Sequence, residues 1–172
     1  MQKLISIVTP CFNEEENVRE VYQQVKDVFA QMPDYRYEHI FIDNSSTDKT
    51  VSILKEIAAN DFNVKVIINS RNFGAGQSPY HALLQSRGDA SIVVMADLQD
   101  PPPMIKDLVR KWEEGYKLVL AVKESSEESS IMFSIRRLYY NIYNKISNIQ
   151  IVNNYCGFGL YDKSIIDILR KL

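Results

Sequence analysis

The chain alternates short apolar runs with segments whose apolar residues recur at helical spacing. Five of the apolar runs have the length of a strand, and they cover residues 4–9, 38–43, 64–68, 91–95 and 117–122. An alternation of this kind predicts parallel strands joined by helical crossovers that pack on the faces of the sheet. We therefore expect an α/β fold with a mainly parallel, helix-flanked sheet.

The expected helices begin at residues that favour helix starts. Asn13, with a glutamate three residues later, is typical of a capping box, and Ser78 followed by Pro79 predicts a helix that starts there. Asp162 is expected to cap a last helix. Further elements are predicted at residues 104–114 (helix), 131–147 (helix) and 157–161 (short strand).

Composition narrows the class of protein. The chain has 172 residues, of which 45% are hydrophobic and 24% charged, which fits one globular domain with a single core. Its 20 basic and 22 acidic residues give a net charge of −2, so the basic excess usual in nucleic-acid-binding proteins is missing. Cys11 and Cys156 lie far apart, and neither a leader nor an apolar run of membrane-spanning length is visible. We expect a soluble, cytoplasmic chain.

Polar clusters directly follow three of the predicted strands, at residues 10–14, 43–46 and 97–102. Because the carboxyl ends of parallel strands meet at one edge of a sheet, and ligands bind there, we expect the three clusters to lie together. They would bring at least three carboxylates to that edge. A hard divalent cation with oxygen ligands would balance this charge.

Asp97 and Gln99 are the best pair of metal ligands in the sequence. They are two residues apart in a segment expected to be extended, so they would share a face. Mg²⁺ commonly takes one or two protein oxygens and completes its shell with water and phosphate oxygens, so a diphosphate would fit. The alternative is that Asp97 and Asp100 cap the helix that follows the prolines.

Other polar residues near the same edge have two interpretations each. Asp43 and Asn44 could hydrogen-bond a base or ribose, or form an Asx-turn and a helix cap. Arg71 could contact phosphates, or be a solvated surface side chain. His39 and His81 are interpreted as structural. The Gly-rich fingerprints of dinucleotide-binding and P-loop proteins are missing.

Four motifs in this order resemble the family 2 glycosyltransferases, which have the GT-A fold. They read ISIVTPCFNEEENV, FIDNSSTDKT, SRNFG and ADLQDPP, and the resemblance spans about residues 4–165. The nearest branch is that of the polyprenyl-phosphate sugar transferases, similar to dolichol-phosphate-mannose synthase. Because that branch often continues into amphipathic or membrane helices, we expect residues 1–172 to be one catalytic domain, truncated at its C-terminus.

The resemblance implies inverting transfer of a sugar from a UDP- or GDP-sugar donor. The positions that match the family's donor and metal sites are Pro10, Phe12, Glu14, Asp43, Asp97 and Gln99. Of these, Asp43 would hold the base or ribose. Asp97 and Gln99 would bind Mg²⁺ or Mn²⁺ together with the donor diphosphate, and the ion would stabilise charge on the departing nucleotide.

The sequence departs from the family pattern in three places. The usual acidic pair after the second strand is Asp43-Asn44, and Met95 replaces the first aspartate of Asp-x-Asp. Gly157 and Gly159 replace the aspartate and arginine of the usual Gly-Asp-Phe-Arg-Leu. These changes leave two alternatives open: a branch with its own donor or acceptor, and a nucleotide-binding homologue with little or no transferase activity. A nucleotidyltransferase is a further alternative, but the first βα turn is acidic instead of basic and Gly-rich.

A polyprenyl phosphate is the expected acceptor, with a glycan as the alternative. A phosphate is already ionised at neutral pH and needs no general base, whereas a sugar hydroxyl does. Asp100 is the nearby carboxylate that could act as a base. Lys123, Arg136 and Arg137 are expected contacts for a lipid phosphate at the cytoplasmic face of the membrane. The oligomeric state is left open.

Overall fold

The computed structural model describes residues 2–122 and 155–172, which contain one six-stranded sheet of order β3-β2-β1-β4-β6-β5. The strands are β1 (Lys3–Cys11), β2 (Tyr35–Asp43), β3 (Val64–Ile68), β4 (Ala90–Val93), β5 (Leu118–Val122) and β6 (Tyr155–Asp162). The helices are α1 (Val18–Ala30), α2 (Thr50–Asn60), α3 (Gly74–Gln85), α4 (Ile105–Glu113) and α5 (Lys163–Leu169), with a 3₁₀ turn at Pro102–Met104.

The sheet is mainly parallel, as predicted. β1 pairs in parallel with β2 and β4, and β2 pairs in parallel with β3, whereas β6 runs antiparallel to β4. The register places Cys11 opposite Asp43, so β1 and β2 end at the same level. The loops that follow β1, β2 and β4 therefore leave the sheet at one edge, which confirms the expected meeting of the three polar clusters at that edge.

Apolar residues on both faces of the central strands form the core. One cluster lies beneath α3 and α5 and contains Val8, Ile40, Ile42, Ala82, Leu83, Val93 and Ile166. Neighbouring residues of β1 and β2, such as Ile7 and Phe41, face the other way and are also fully buried. Both faces are thus covered, which is why these strands read as continuous apolar runs.

Helix α1 begins later than the sequence predicts. Asn13 has a φ of 56°, and its Oδ1 accepts a hydrogen bond from the Thr47 backbone N–H at 2.9 Å. The helix starts at Val18, after Asn17. The prediction that Asn13 caps it is wrong, because this side chain is used to join the loops after β1 and β2.

Helix α3 begins at Gly74, five residues before Pro79, the predicted first helical residue. Pro79 lies inside the helix, and Ser78 is buried and accepts a hydrogen bond from Asn69 Nδ2 at 3.1 Å. The predicted cap at Ser78 is wrong. Side chains from outside the helix hold its first residue instead: the Gly74 N–H donates to Asn72 Oδ1, and the Gly74 carbonyl oxygen accepts from Asn44 Nδ2.

Asp162 caps α5, as predicted, by accepting a hydrogen bond from Ser164 N at 3.0 Å. The same carboxylate accepts from Trp112 Nε1 at 2.7 Å and from Lys117 Nζ at 3.1 Å. Burial raises the pKa of Asp162, but the hydrogen bonds from Ser164, Trp112 and Lys117 outweigh it and hold the pKa well below its usual range. One buried side chain thus joins α4, β5 and α5.

The chain divides into two compact units, one of Met1–Leu120 with Gly157–Leu172 and one of Ala121–Cys156. Almost all of the second unit lies outside the described residues. The predicted helix at 131–147 and the predicted contacts Lys123, Arg136 and Arg137 fall there, and the single-domain expectation stays a prediction. Among the residues described, no helix has the length and apolar character to cross a membrane.

Candidate functional site

The loops that follow β1 and β2 are joined by reciprocal hydrogen bonds. Asn13 accepts from Thr47 N, while the Asn13 N–H donates to Ser46 Oγ at 2.9 Å. One residue further on, the Glu14 N–H donates to Thr50 Oγ1 at 2.8 Å. Each loop supplies side-chain acceptors for the backbone N–H groups of the other. The two loops therefore form one hydrogen-bonded unit at the carboxyl edge of the sheet.

Asp43 ends β2 and is fully buried. Its Oδ2 accepts hydrogen bonds from the N–H groups of Ser45 and Ser46, each at 3.0 Å, which confirms the Asx-turn. The helix cap predicted with it is wrong, because α2 begins at Thr50 and its N-cap residue is Lys49. Its Oδ1 is buried and has no hydrogen-bond partner among the described residues. A buried polar atom of this kind is rare and calls for a donor from water or a ligand.

The Asn44 side-chain amide is fully engaged within the protein. Its Nδ2 donates to Asn72 Oδ1 at 2.9 Å and to the Gly74 carbonyl oxygen at 3.4 Å. Its Oδ1 accepts from Asn69 Nδ2 at 3.1 Å and from the Phe73 N–H at 2.9 Å. These four bonds tie the end of β2 to the loop after β3. A contact between Asn44 and a base or ribose stays a prediction.

A cavity of about 310 Å³ opens at this edge of the sheet. The predicted site residues in its lining are Pro10, Phe12, Glu14 and Asn44. Further lining residues are Cys11, Asn72, Gly74, Ala75, Ser78, Pro79 and Met95. The Phe12 ring is 47% exposed, so a flat ligand has access to an aromatic face. Burial, followed by the charges of Asp43 and Glu14, raises the pKa of the Cys11 thiol well above its usual value, so this thiol is neutral.

Arg71 lies in the loop after β3 and outside the cavity lining. Its guanidinium carbon lies 4.5 Å from the centre of the Phe73 ring, in the geometry of a cation–π contact. Arg71 is exposed and has no ion-pair partner in the described part of the chain. Its N–H groups are therefore free to bind an anion.

The segment after β4 is a turn and not the extended segment that was expected. Asp97 Oδ1 accepts a hydrogen bond from the Gln99 N–H at 3.1 Å, and Leu98 between them has a φ of 56°. Both Asp97 and Gln99 are exposed. The Asp97 Oδ2 and the Gln99 amide oxygen are ligand atoms of the type that Mg²⁺ and Mn²⁺ prefer, so the chemistry of these two residues fits such an ion.

Asp100 as a whole residue is 6% exposed, but its carboxylate oxygens are not among the buried atoms that lack a partner, so they reach solvent. In the described part of the chain no side chain caps the 3₁₀ turn or α4, so the alternative that Asp97 or Asp100 caps the next helix is wrong. The geometry leaves Asp100 available to accept a proton or a hydrogen bond.

The expected crowding of three carboxylates is not found. Within residues 2–122 and 155–172, no group of three or more His, Cys, Asp or Glu side chains is placed to hold a metal ion. Asp43 and Asp97 instead accept hydrogen bonds within separate turns. A metal site at this edge would therefore depend on one or two protein oxygens and on oxygens from a ligand.

His39 is placed as a structural residue would be, whereas a structural role for His81 stays a prediction. His39 is fully buried in β2, where its ring stacks on Phe41 with 4.0 Å between the centroids. Its Nε2 lies 2.9 Å from Thr9 Oγ1, and burial lowers its pKa to about 3. His81 is exposed on α3. Neither lies in the lining of the 310 Å³ cavity.

The sequence did not single out the residues that shape the cavity wall after β3. Asn69, Asn72 and Phe73 all bond to Asn44, and Asn72 and Ser78 reach the cavity surface. The sequence feature that could have indicated them is the pair of asparagines in the motif NSRNFG. Their common partner is in a different loop, and spacing along the chain does not reveal it.

Comparison with known sequences places the chain in a family. Residues 6–169 match the family described as Glycosyl transferase family 2. The uncharacterised glycosyltransferase YkcC of Bacillus subtilis is 34% identical over 168 residues, which cover 97% of this chain and 52% of that protein. A prophage bactoprenol glucosyl transferase homolog of Escherichia coli is 34% identical over 169 residues, which cover 98% of this chain and 55% of that protein. The chain spans about half the length of these curated relatives.

Solved structures share the fold. The mannosyltransferase PcManGT of Pyrobaculum calidifontis, determined in complex with GDP-Man and Mn²⁺, aligns with a TM-score of 0.67 at 17% identity, over 98% of this chain and 47% of that one. Mannosyl-3-phosphoglycerate synthase from Rubrobacter xylanophilus aligns with a TM-score of 0.69 at 17% identity, over 93% and 53%. The described sheet thus has the GT-A fold, and with the family match over nearly its whole length the chain belongs to glycosyl transferase family 2.

Proposed function

We propose that this chain carries the catalytic site of an inverting glycosyltransferase. The donor is a UDP- or GDP-sugar, and the acceptor is a polyprenyl phosphate used in cell-wall or surface-polysaccharide synthesis. The observation that carries the proposal is the 310 Å³ cavity at the carboxyl edge of the sheet, whose lining includes Pro10, Phe12 and Glu14. Asp43 lies beside Cys11 and Asn44, which line that cavity, and its Oδ1 has no hydrogen-bond partner among the described residues. Because Asp43 is fully buried, it would accept a base N–H only after a rearrangement that exposes its carboxylate.

The donor site is built from the residues around that cavity. The exposed ring of Phe12 offers a stacking surface for a base, and Pro10 and Glu14 complete the same wall. Both uracil and guanine carry a ring N–H that could donate a hydrogen bond to the Asp43 carboxylate, so the identity of the base stays open. Arg71 supplies a positive charge for the phosphates.

Asp97 and Gln99 would hold Mg²⁺ or Mn²⁺ together with the donor diphosphate. When bound, the ion neutralises charge on the departing nucleoside diphosphate. The complex of PcManGT with GDP-Man and Mn²⁺ supports a metal and a nucleotide sugar as the pair of ligands. The exposure of both side chains supports it as well, because such an ion must be shared with phosphate oxygens.

The acceptor is inferred from the relatives and from acid–base chemistry. Relatives named bactoprenol glucosyl transferase support a polyprenyl phosphate. An ionised phosphate oxygen attacks the anomeric carbon without a general base, so the protein has only to align it opposite the leaving group. The protein would bind such a lipid at the cytoplasmic face of the membrane. If the acceptor is a glycan instead, the solvent-accessible carboxylate of Asp100 is placed to accept the hydroxyl proton.

A nucleotide-binding homologue with little or no transferase activity is the second candidate. It is favoured by Met95, which lines the cavity at the position where the family usually has an aspartate. With one carboxylate fewer, the site would bind a metal more weakly. Turnover separates the two candidates, since only a transferase releases a nucleoside diphosphate from the donor.

The donor site is tested by thermal unfolding with UDP and with GDP, each with and without Mn²⁺. Asp97→Asn keeps the Oδ1 that accepts from Gln99 N but removes the charge. Ligand at 100 times its Kd stabilises a protein by about 2.7 kcal/mol, which is a rise in Tm of about 5–10 °C for a chain of this size. We expect this rise for one nucleotide with Mn²⁺ in the wild type, and its loss in Asp97→Asn.

The matched control is Asp107→Asn, because Asp107 is an exposed aspartate on α4 that pairs only with Arg110. It should keep the full rise in Tm. A Mn²⁺-dependent rise that survives Asp97→Asn would remove Asp97 from the metal site. The absence of any rise with either nucleotide in the wild type would count against the donor site itself. Release of nucleoside diphosphate with a short polyprenyl phosphate then tests transfer.

A further inference from the structure

The loop between β3 and α3 is held by side-chain amides. The Asn44 Oδ1 accepts from Asn69 Nδ2 and from the Phe73 N–H, and these two residues lie on either side of Arg71. The Asn44 Nδ2 donates to Asn72 Oδ1, which in turn accepts from the Gly74 N–H at 2.8 Å. One side chain from another loop therefore fixes both ends of the segment that carries Arg71.

The same loop determines where the Arg71 guanidinium lies. The guanidinium stacks on the ring of Phe73, and the backbone of Phe73 is the group that bonds to Asn44. Arg71 has no carboxylate partner among the described residues, so the ring and not an ion pair orients it. A cation that is oriented before binding loses less side-chain freedom when an anion arrives.

We propose that Asn44 is a positioning residue that orders this loop and thereby sets Arg71 for the phosphates of the donor. The proposal rests on the proposed function. It explains why an asparagine stands where the family usually has an aspartate. The Asn72 Oδ1 and the Gly74 carbonyl oxygen need donors, and a carboxylate at position 44 would offer them only acceptors.

Two measurements test it. The first is amide hydrogen exchange at the Phe73 N–H in the free protein, which needs no ligand. Because this N–H donates to Asn44 Oδ1, Asn44→Ala should reduce its protection at least tenfold. Asn44→Asp keeps the acceptor oxygen and should retain most of the protection. Asn60→Ala is the control, since Asn60 ends α2 and bonds only to the Glu56 carbonyl oxygen.

The second measurement is the Kd of UDP or GDP with Mn²⁺ for Asn44→Ala, Arg71→Ala and the double variant. We expect each single variant to weaken binding about tenfold. Because Asn44 acts through Arg71, the double variant should bind no more weakly than Arg71→Ala. Asn44→Asp should lose about threefold, and Asn60→Ala should bind like the wild type.

The outcomes separate the two proposals. Unchanged exchange at the Phe73 N–H in Asn44→Ala would show that Asn44 does not order the loop and would overturn the inference. A double variant whose loss is the product of the single losses would do so as well, because Asn44 would then act independently of Arg71. If the wild type binds neither nucleotide, the proposed function fails, and the role of Asn44 in donor binding falls with it even where the exchange result holds.

Discussion

Three non-glycine residues at the ligand edge adopt a left-handed backbone. Asn13, Ser45 and Leu98 have φ values of 56°, 68° and 56°, and they follow β1, β2 and β4. This conformation costs a side-chain-bearing residue about 1–2 kcal/mol, and such strain collects at functional sites. Local hydrogen bonds hold each one in place, for example those of the Asp43 carboxylate around Ser45. The edge that carries the cavity is thus also the edge where the backbone is strained.

Ser45→Gly should relieve one of these strains. The Ser45 N–H would still donate to Asp43, while the penalty on its Cβ at a φ of 68° would vanish. Part of the gain is offset by the greater freedom of glycine in the unfolded chain, so we expect the free energy of unfolding to rise by about 0.5–1 kcal/mol. Urea unfolding measures this directly.

Ser46→Gly is the matched control for that change. Ser46 Oγ accepts the Asn13 N–H, so its loss should lower the free energy of unfolding by about 1 kcal/mol. A loss of stability in Ser45→Gly would mean that Ser45 contributes a contact beyond its backbone. Equal effects in both variants would rule out the left-handed backbone as the cause.

At the scale of single residues, the sequence predicts the roles that depend on residues close by in the chain. Pro10, Phe12 and Glu14 line the cavity because they lie at or just after the end of β1, and a strand end is visible in the apolar pattern. The Asx-turn of Asp43 is equally local. The role of Asn44 is not, because the four partners of its side chain are 25, 28, 29 and 30 positions away and nothing in the spacing identifies them.

Among the elements, the strands follow the sequence more closely than the helix starts do. β3 has the predicted bounds, and β1 and β2 extend the predicted runs by a few residues. The starts of α1 and α3 were misplaced, because hydrogen bonds from other loops and not their own cap residues set them. Asp162 was predicted correctly as a cap because its bond to Ser164 is local.

The turn between α3 and β4 depends on the absence of a side chain at Gly88. A Cβ there would lie 2.6 Å from the Ala90 carbonyl oxygen and 2.7 Å from the Ser6 backbone nitrogen. Both neighbours are backbone atoms of strands, so they cannot move aside cheaply. Gly88→Ala should lower the free energy of unfolding by about 2–4 kcal/mol, as urea unfolding would show.

Gly76→Ala provides the comparison within the same helix–strand unit. A Cβ at Gly76 meets nothing within 4 Å, and the residue lies in α3. Alanine restricts the unfolded chain and favours the helix, so stability should rise by about 0.5–1 kcal/mol. If both substitutions proved neutral, close packing at the turn would not be what excludes a side chain from position 88.

The stability of the whole molecule is coupled to pH through buried ionisable groups. Burial lowers the pKa of His39 to about 3, from about 6.5 in an unfolded chain. Glu38 and Asp162 have lowered pKa values too, because hydrogen bonds, including those from Lys65 and from Trp112, outweigh the effect of burial. In each case the unfolded state binds protons more readily, so stability is lost as the pH falls.

The buried carboxylates and His39 change the free energy of unfolding over different ranges of pH. A carboxylate with a lowered pKa keeps its contribution above its unfolded pKa, which is about 4, and loses it below that value. The contribution of His39 is complete only above about pH 6.5 and declines from there towards its folded pKa of about 3. Between about pH 6.5 and 4.5, His39 is therefore the dominant cause of the loss that we expect.

His39→Phe isolates this effect in urea unfolding across the pH range. The new ring can still stack on Phe41, whereas the group that takes up a proton on unfolding is gone. The wild type should lose about 2–3 kcal/mol between about pH 6.5 and 4.5, at up to about 1.4 kcal/mol per pH unit. The variant loses the contact with Thr9 Oγ1 and starts from a lower stability, so the slope and not the absolute value is the readout. A slope in His39→Phe as steep as in the wild type would assign the protons to other groups, while a flat profile would show that a neutral, buried His39 makes this fold sensitive to mild acid.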